Sequence, residues 1–153
     1  RDDAAELEAV ERLKELVAGG SGFVVSQTPE YMSGVGPAAA PDIARRLHRG
    51  QFAVQGFIDL HGHTAAEAMA AFDQFMEDAV RRGFRTVLVV HGRGLSSPNR
   101  PVLKRQVRRR LTSGVWRKWI LAYSSARLCD GGAGATYVLL RSRPLTKRQR
   151  RGR

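Results

Sequence analysis

A chain of 153 residues fits one ordinary domain with an appendage and leaves little room for two full-sized domains. Its composition, 42% hydrophobic and 26% charged, is that of a globular protein, and no apolar run approaches the roughly 20 residues that would exclude a non-membrane reading. The single Cys129 excludes an internal disulfide scaffold and favours a reducing cytoplasm, while the start at Arg1 without Met leaves room for a removed leader. The net charge of +12 conceals an asymmetry: residues 1–78 sum to −7 and residues 79–153 to +19, with Asp130 the one acid of the second half. Arg supplies 22 of the 26 cations, and its planar fork matches phosphate oxygens, so the expected partner is a polyanion, with nucleic acid leading.

In chain order, residues 4–18 place Leu7, Val10, Leu13 and Val17 at helical spacing before Gly19-Gly20, which predicts a short acidic helix. Residues 19–41 hold five glycines and three prolines and read as a loose linker in which Phe23, Val24, Val25, Tyr31 and Met32 dock locally. A brief helix follows Pro41-Asp42 as far as Arg49. The compact part is expected to begin near Gln51, giving a division into an N-terminal helix and linker (1–50), a folded domain (51–143) and a basic tail (144–153).

Within the folded part, Phe52 to Leu60 is strand-like, and Thr64-Ala65-Ala66-Glu67 forms a capping box that opens a helix with Met69, Phe72, Met76 and Val80 on one face. Thr86 to Val90 is an unbroken apolar run suited to a strand covered on both faces. After Gly92 and Gly94, Ser97-Pro98-Asn99 introduces a helix with Leu103, Val107 and Leu111 as its apolar stripe. Strands are expected at Trp119–Tyr123 and Ala135–Leu140, joined through the turn Asp130-Gly131-Gly132. The order β-α-β-α-β-β specifies an α/β layer fold.

Two strand ends look alike. Asp59-Leu60-His61-Gly62 and Val90-His91-Gly92-Arg93-Gly94 each place a His at the carboxyl end of a strand, where ligands bind in open α/β sheets, so both histidines are expected to face one crevice. Strand parity puts Asp59 and His61 on one face, and a carboxylate beside an imidazole fixes its tautomer and raises its basicity. Gly92 and Gly94 permit close approach of a phosphate, and Arg93 can neutralise charge on its oxygens. Taken singly, each His is better read as a buried, hydrogen-bonded side chain; the repetition favours a site. A divalent metal on Asp59, His61 and His91 is the minority alternative, since a fourth ligand of suitable spacing is lacking and no cofactor is otherwise implied. The helix after Arg100 carries Lys104, Arg105, Arg108, Arg109 and Arg110 with almost no acids, which predicts phosphate contact by Lys104, Arg105, Arg108 and Arg109.

Ile58-Asp59-Leu60-His61-Gly62, His91-Gly92-Arg93-Gly94 and Gly131-Gly132-Ala133-Gly134-Ala135-Thr136-Tyr137-Val138-Leu139-Leu140 together resemble the ordered motifs of the Smr (small MutS-related) domain, across about Phe57 to Arg141. The resemblance implies a two-layer α/β sandwich similar to the C-terminal domain of translation initiation factor three, and endonuclease activity of the free-standing bacterial type. Similar proteins include nucleases acting on messenger RNA at collided ribosomes. The expectation is therefore a cytoplasmic endonuclease that prefers RNA slightly over DNA, with His61 and His91 as acid and base, Asp59 as their orienting carboxylate and the ribosome as a candidate partner. The rival is a catalytically silent nucleic-acid- or ribosome-binding module. Segment 1–50 is expected to be separable from the chemistry and to serve targeting.

Overall fold

The structure, a computed structural model, describes residues 16–17, 22–28, 31–93 and 102–150. Among these residues seven strands form one mixed sheet: β1 (Leu16–Val17), β2 (Val24–Gln27), β3 (Met32–Val35), β4 (Gly56–Asp59), β5 (Thr86–Val90), β6 (Ile120–Ser125) and β7 (Ala135–Leu140). Their spatial order is β1-β2-β3-β6-β7-β5-β4, and β4 with β5 is the parallel pair. Among the described residues four α-helices accompany them: α1 (Ile43–His48), α2 (Ala65–Arg82), α3 (Val102–Ser113) and the short α4 (Lys147–Arg150).

Side-chain alternation along the central strands decides which face each helix covers. On one face Val87 and Val89 of β5 and Val138 and Leu140 of β7 are buried in a core with Met69, Phe72 and Met76 of α2 and Val107 and Leu111 of α3. On the other face Tyr137 and Leu139 pack with Ile43 and Leu47 of α1, and Leu88 and Val90 lie against them. The expected two-layer sandwich is therefore present, with α1 added on the far side. α2 starts where expected: Thr64 Oγ1 accepts from the Glu67 amide and Glu67 Oε1 from the Thr64 amide, both at 3.1 Å, and Gly83 ends the helix at φ 74°.

The first fifty residues depart from expectation. Leu16 and Val17, assigned to an acidic helix, pair as β1 with Val25 and Val24; residues 4–15 and 18 of that helix lie outside the described residues. The segment expected to be a linker supplies β2 and β3, and β3 pairs with β6 through Ser33 and Ser124, Gly34 and Tyr123, Val35 and Ala122. Phe23 and Met32 are each 1% exposed in the same core as α2 and α3. The physical reason is long-range pairing: Gly34 has no side chain, and an added Cβ would sit 2.3 Å from the Tyr123 ring, so the glycine is what lets β3 lie against β6. The boundary expected at Gln51 therefore falls within one sheet and across both cores. At the other end, the expected tail is tied back at Leu145, which is buried and whose amide donates to the Lys118 carbonyl at 2.9 Å.

Candidate active site

β4 and β5 run side by side with Asp59 opposite Val90, so the residues that follow them emerge together. The Leu60 amide donates to the Val90 carbonyl, which carries the parallel pairing one step beyond β4. Gly62 then turns at φ 87°, a left-handed conformation, and delivers the chain to the N-cap of α2.

Asp59 and His61 meet as strand parity predicts. His61 Nδ1 lies 2.7 Å from Asp59 Oδ1, and the His61 amide donates to the same oxygen at 3.1 Å. A carboxylate accepts, so Nδ1 carries the proton and Nε2 is left for another group. Both side chains are open to solvent, 68% for His61 and 48% for Asp59. The hydrogen bond from the His61 ring holds the Asp59 carboxyl below its ordinary value, against the weaker opposing effect of desolvation, so it is ionised at neutral pH. His63, which the sequence did not single out, stands next to this pair: its Nδ1 donates to the Leu60 carbonyl at 3.1 Å, and its charge acts on Asp59 in the same direction as that of His61.

His91 takes a different place. It is 3% exposed and does not share the solvent-facing crevice with His61. Its Nδ1 donates to the Gly92 carbonyl at 2.9 Å, which leaves Nε2 to accept from Thr136 Oγ1 at 2.8 Å. Burial pushes its pKa down to about 4, with the Lys104 charge adding to that effect and the Gly92 carbonyl opposing it. The structure therefore does not bring His91 and His61 together in one solvent-facing place: both His91 ring nitrogens are engaged within the fold. His91 anchors the loop that follows: the amides of His91 and Gly92 both donate to the Gly134 carbonyl at 2.9 Å.

That loop brings the three motifs together. Gly92 is held at φ 82°, and a Cβ built on it would lie 3.5 Å from His61 Cβ, so the loop passes directly beside the Asp–His pair. A Cβ on Gly134 would come within 3.2 Å of Arg93 Cγ, so the glycine-rich turn is what allows the exposed Arg93 to lie across it. Gly94 lies outside the described residues. Among the described residues no three His, Cys, Asp or Glu side chains cluster as a metal site would require.

The basic helix divides by face. Arg105 and Arg109, four residues apart on α3, are exposed, whereas Lys104 and Arg108 are half-buried and Lys104 lies close enough to His91 to act on it. Arg110 is engaged in the fold, with Nη1 2.6 Å from both oxygens of Asp73, to which Trp116 Nε1 also donates at 3.0 Å. No helix among the described residues is long and apolar enough to cross a membrane.

The site thus combines an exposed Asp–His pair at the end of parallel strands with Arg93 on the loop after β5 and exposed arginines on α3, in a small α/β domain. The chain belongs to the Smr domain family, whose pattern matches residues 58–141, more than half of its length. The crystal structure of YdaL, a stand-alone small MutS-related protein from Escherichia coli, superposes with a TM-score of 0.61 at 26% identity, covering 82% of this chain and 93% of that one. The likeness thus extends beyond the family-matched span. The probable DNA endonuclease SmrA of Escherichia coli strain K12 is 29% identical over 105 residues, which are 68% of this chain and 54% of that protein. Endonuclease MutS2 of Thermus thermophilus is 33% identical over 84 residues, 55% of this chain and 10% of that protein. This chain therefore spans about half of one such relative and a tenth of the other.

Proposed function

We propose that this chain is an endonuclease that cleaves phosphodiester bonds, with RNA as its preferred substrate and the Asp59–His61 pair as its proton-transfer centre. The observation that carries this reading is the 2.7 Å contact that fixes His61 in one tautomer while both side chains stay in solvent. Burial would serve a structural histidine; exposure with an orienting carboxylate serves a general base or acid. In RNA, the 2′-hydroxyl adjacent to the scissile phosphate can attack phosphorus once His61 Nε2 accepts its proton. The 5′-oxygen then leaves with a proton supplied by a second group, and the products carry a 2′,3′-cyclic phosphate and a 5′-hydroxyl. His63 is the neighbouring candidate for that second group in its imidazolium form, with the Nδ1 proton committed to the Leu60 carbonyl and the Nε2 proton the one it gives to the leaving oxygen. Arg93 supports the charge that builds on the non-bridging oxygens, and Arg105 and Arg109 hold the flanking backbone.

A second reading has its own support, because SmrA is named a probable DNA endonuclease. DNA lacks the 2′-hydroxyl, so nicking would use water as nucleophile and a different activation. Cytoplasmic location and a ribosomal partner extend the RNA reading. The test is cleavage of matched single-stranded RNA, duplex DNA and supercoiled plasmid by the purified chain, with and without chelator. RNA cut to cyclic-phosphate ends in chelator is the expected result. Nicking of plasmid with RNA left intact would move the assignment to DNA, and binding without cutting of any substrate would leave a binding module.

A further inference from the structure

On the face of the sheet that α1 covers, an open groove of about 560 Å³ adjoins the loop that carries Arg93. That volume lies within the range of small-molecule sites. Of the residues lining it, Arg93 directly follows Gly92, the residue that passes beside His61, and the others are Tyr31, His48, residues 125–128 and residues 131–133. The floor is shallow in side chains because the chain turns through Gly131 and Gly132 at φ 116° and 57°, conformations that other residues rarely adopt.

The lining is bonded into the fold. Arg127 lies over Gly50, where a Cβ would stand 2.4 Å from the guanidinium carbon, and its Nε donates to the Tyr137 hydroxyl at 3.3 Å. That hydroxyl in turn donates to Asp130, so both ends of the turn are tied to β7. On the opposite wall the His48 ring is held by a contact of 2.7 Å from Nδ1 to the Ser125 carbonyl and stands edge-on to Tyr31, with centroids 5.2 Å apart. Leu128 contributes a large apolar side chain that is 93% exposed and that folding does not use.

We propose that this groove receives the unstacked base of a nucleotide next to the scissile phosphate, so that the chain selects single-stranded segments over paired ones. The inference rests on the assignment of Asp59 and His61 to phosphodiester cleavage and adds to it the form of the substrate. A base is flat and largely apolar on its faces, which suits a slot with small residues below, an imidazole on one wall and Leu128 at the rim. The phosphates on either side of such a base are anionic, and Arg93 and Arg127 both line the slot. Continuity supplies the register, since Arg93 lines the groove and directly follows Gly92, which passes beside His61. A base paired in a helix is stacked on both sides and cannot enter.

The test uses the full chain and a single-stranded RNA in which each base in turn is replaced by an abasic residue that keeps ribose and phosphate. Binding is read by fluorescence anisotropy with the His61→Ala protein, and cleavage with the parent. The expected result is one position at which loss of the base weakens binding about tenfold, the loss of a single stacking contact. Leu128→Ser and Ala133→Phe, which remove the rim and fill the slot, abolish that sensitivity without altering the unfolding midpoint. If the parent cuts RNA and no position is sensitive, or if both variants keep the sensitivity, the groove is not a base site and the nuclease reading stands. If the parent cuts nothing while one position governs binding and both variants erase it, the groove assignment stands and the nuclease reading falls. Equal affinity for the single strand and its duplex overturns the groove assignment.

Discussion

The ends of β4 and β5 carry nearly the same letters, a His followed by Gly, on adjacent parallel strands, yet they hold their histidines in opposite environments. His61 stands in solvent against an ionised carboxylate, whereas His91 is buried between a backbone carbonyl and the Thr136 hydroxyl. β4 is the edge of the sheet and β5 lies inside it between β4 and β7, so the same motif meets water in one place and neighbours on both sides in the other. The proposed proton-transfer role therefore falls on His61, while His91 is bonded into the loop that flanks it.

Because the environment of His91 depends on a sheet that includes β2 and β3, the most drastic way to break the contrast is to remove its support. A chain beginning at Gln51 loses Phe23, Met32, Ile43 and Leu47 from the two cores. At about 1.5–3 kcal/mol for each buried side chain, the loss is comparable with the roughly 5–15 kcal/mol that stabilises a whole domain. Circular dichroism is expected to show an unfolded chain, and a cooperative melt like that of the parent would show the first fifty residues to be dispensable after all.

A finer cut addresses His91 itself. Thr136→Val removes the hydroxyl that donates to His91 Nε2 and leaves a buried acceptor unsatisfied, which costs about 1–3 kcal/mol. Exposed His61 replaced by Ala changes stability by less than about 0.5 kcal/mol. Urea denaturation of the two variants side by side measures the difference.

Acid sharpens the same comparison. His91 has a folded pKa of about 4 against an ordinary 6.5, so below pH 6.5 the unfolded chain binds a proton that the folded chain refuses. The stability is fully present above pH 6.5 and is lost as pH falls toward 4, by about 2–3 kcal/mol. Asp59, whose pKa is lowered, contributes in the same direction at more acidic pH, its stabilisation being lost as its carboxylate is protonated. Denaturant midpoints between pH 7 and 4 are expected to fall less steeply in His91→Gln than in the parent.

The mildest effect concerns α3. Arg105→Gln with Arg109→Gln is expected to leave stability within about 0.5 kcal/mol and to reduce the slope of log affinity against log salt by roughly 1.4–1.8. An unchanged slope would place the phosphate contacts on other cations.

How much of this was legible in the sequence follows from how local each signal is. β5, β7 and the capped start of α2 were readable because a β-branched run or a capping box acts within a few residues. The Asp59–His61 contact was readable because residues two apart on a strand share a face. β2 and β3 were not, since Ser33 and Gly34 carry no apolar alternation and are placed by pairing with Ser124 and Tyr123, about ninety residues away. The burial of His91 was not legible for the same reason: the hydroxyl that partners it lies 45 residues on, at Thr136. The groove was invisible because neither the Gly- and Pro-rich segment that holds Tyr31 nor the brief helix that holds His48 gave a sign of folding onto residues 125–133.

The most direct test is to compare RNA cleavage by His61→Ala and His91→Gln at neutral pH and at a temperature where both are folded, with folding checked in the same samples. Loss of the proton-transfer group is expected to slow His61→Ala by about 10²–10⁴, while folded His91→Gln keeps a rate within about tenfold of the parent. A folded His91→Gln as inactive as His61→Ala, or a His61→Ala that cuts like the parent, would contradict the division of labour between the two strand ends.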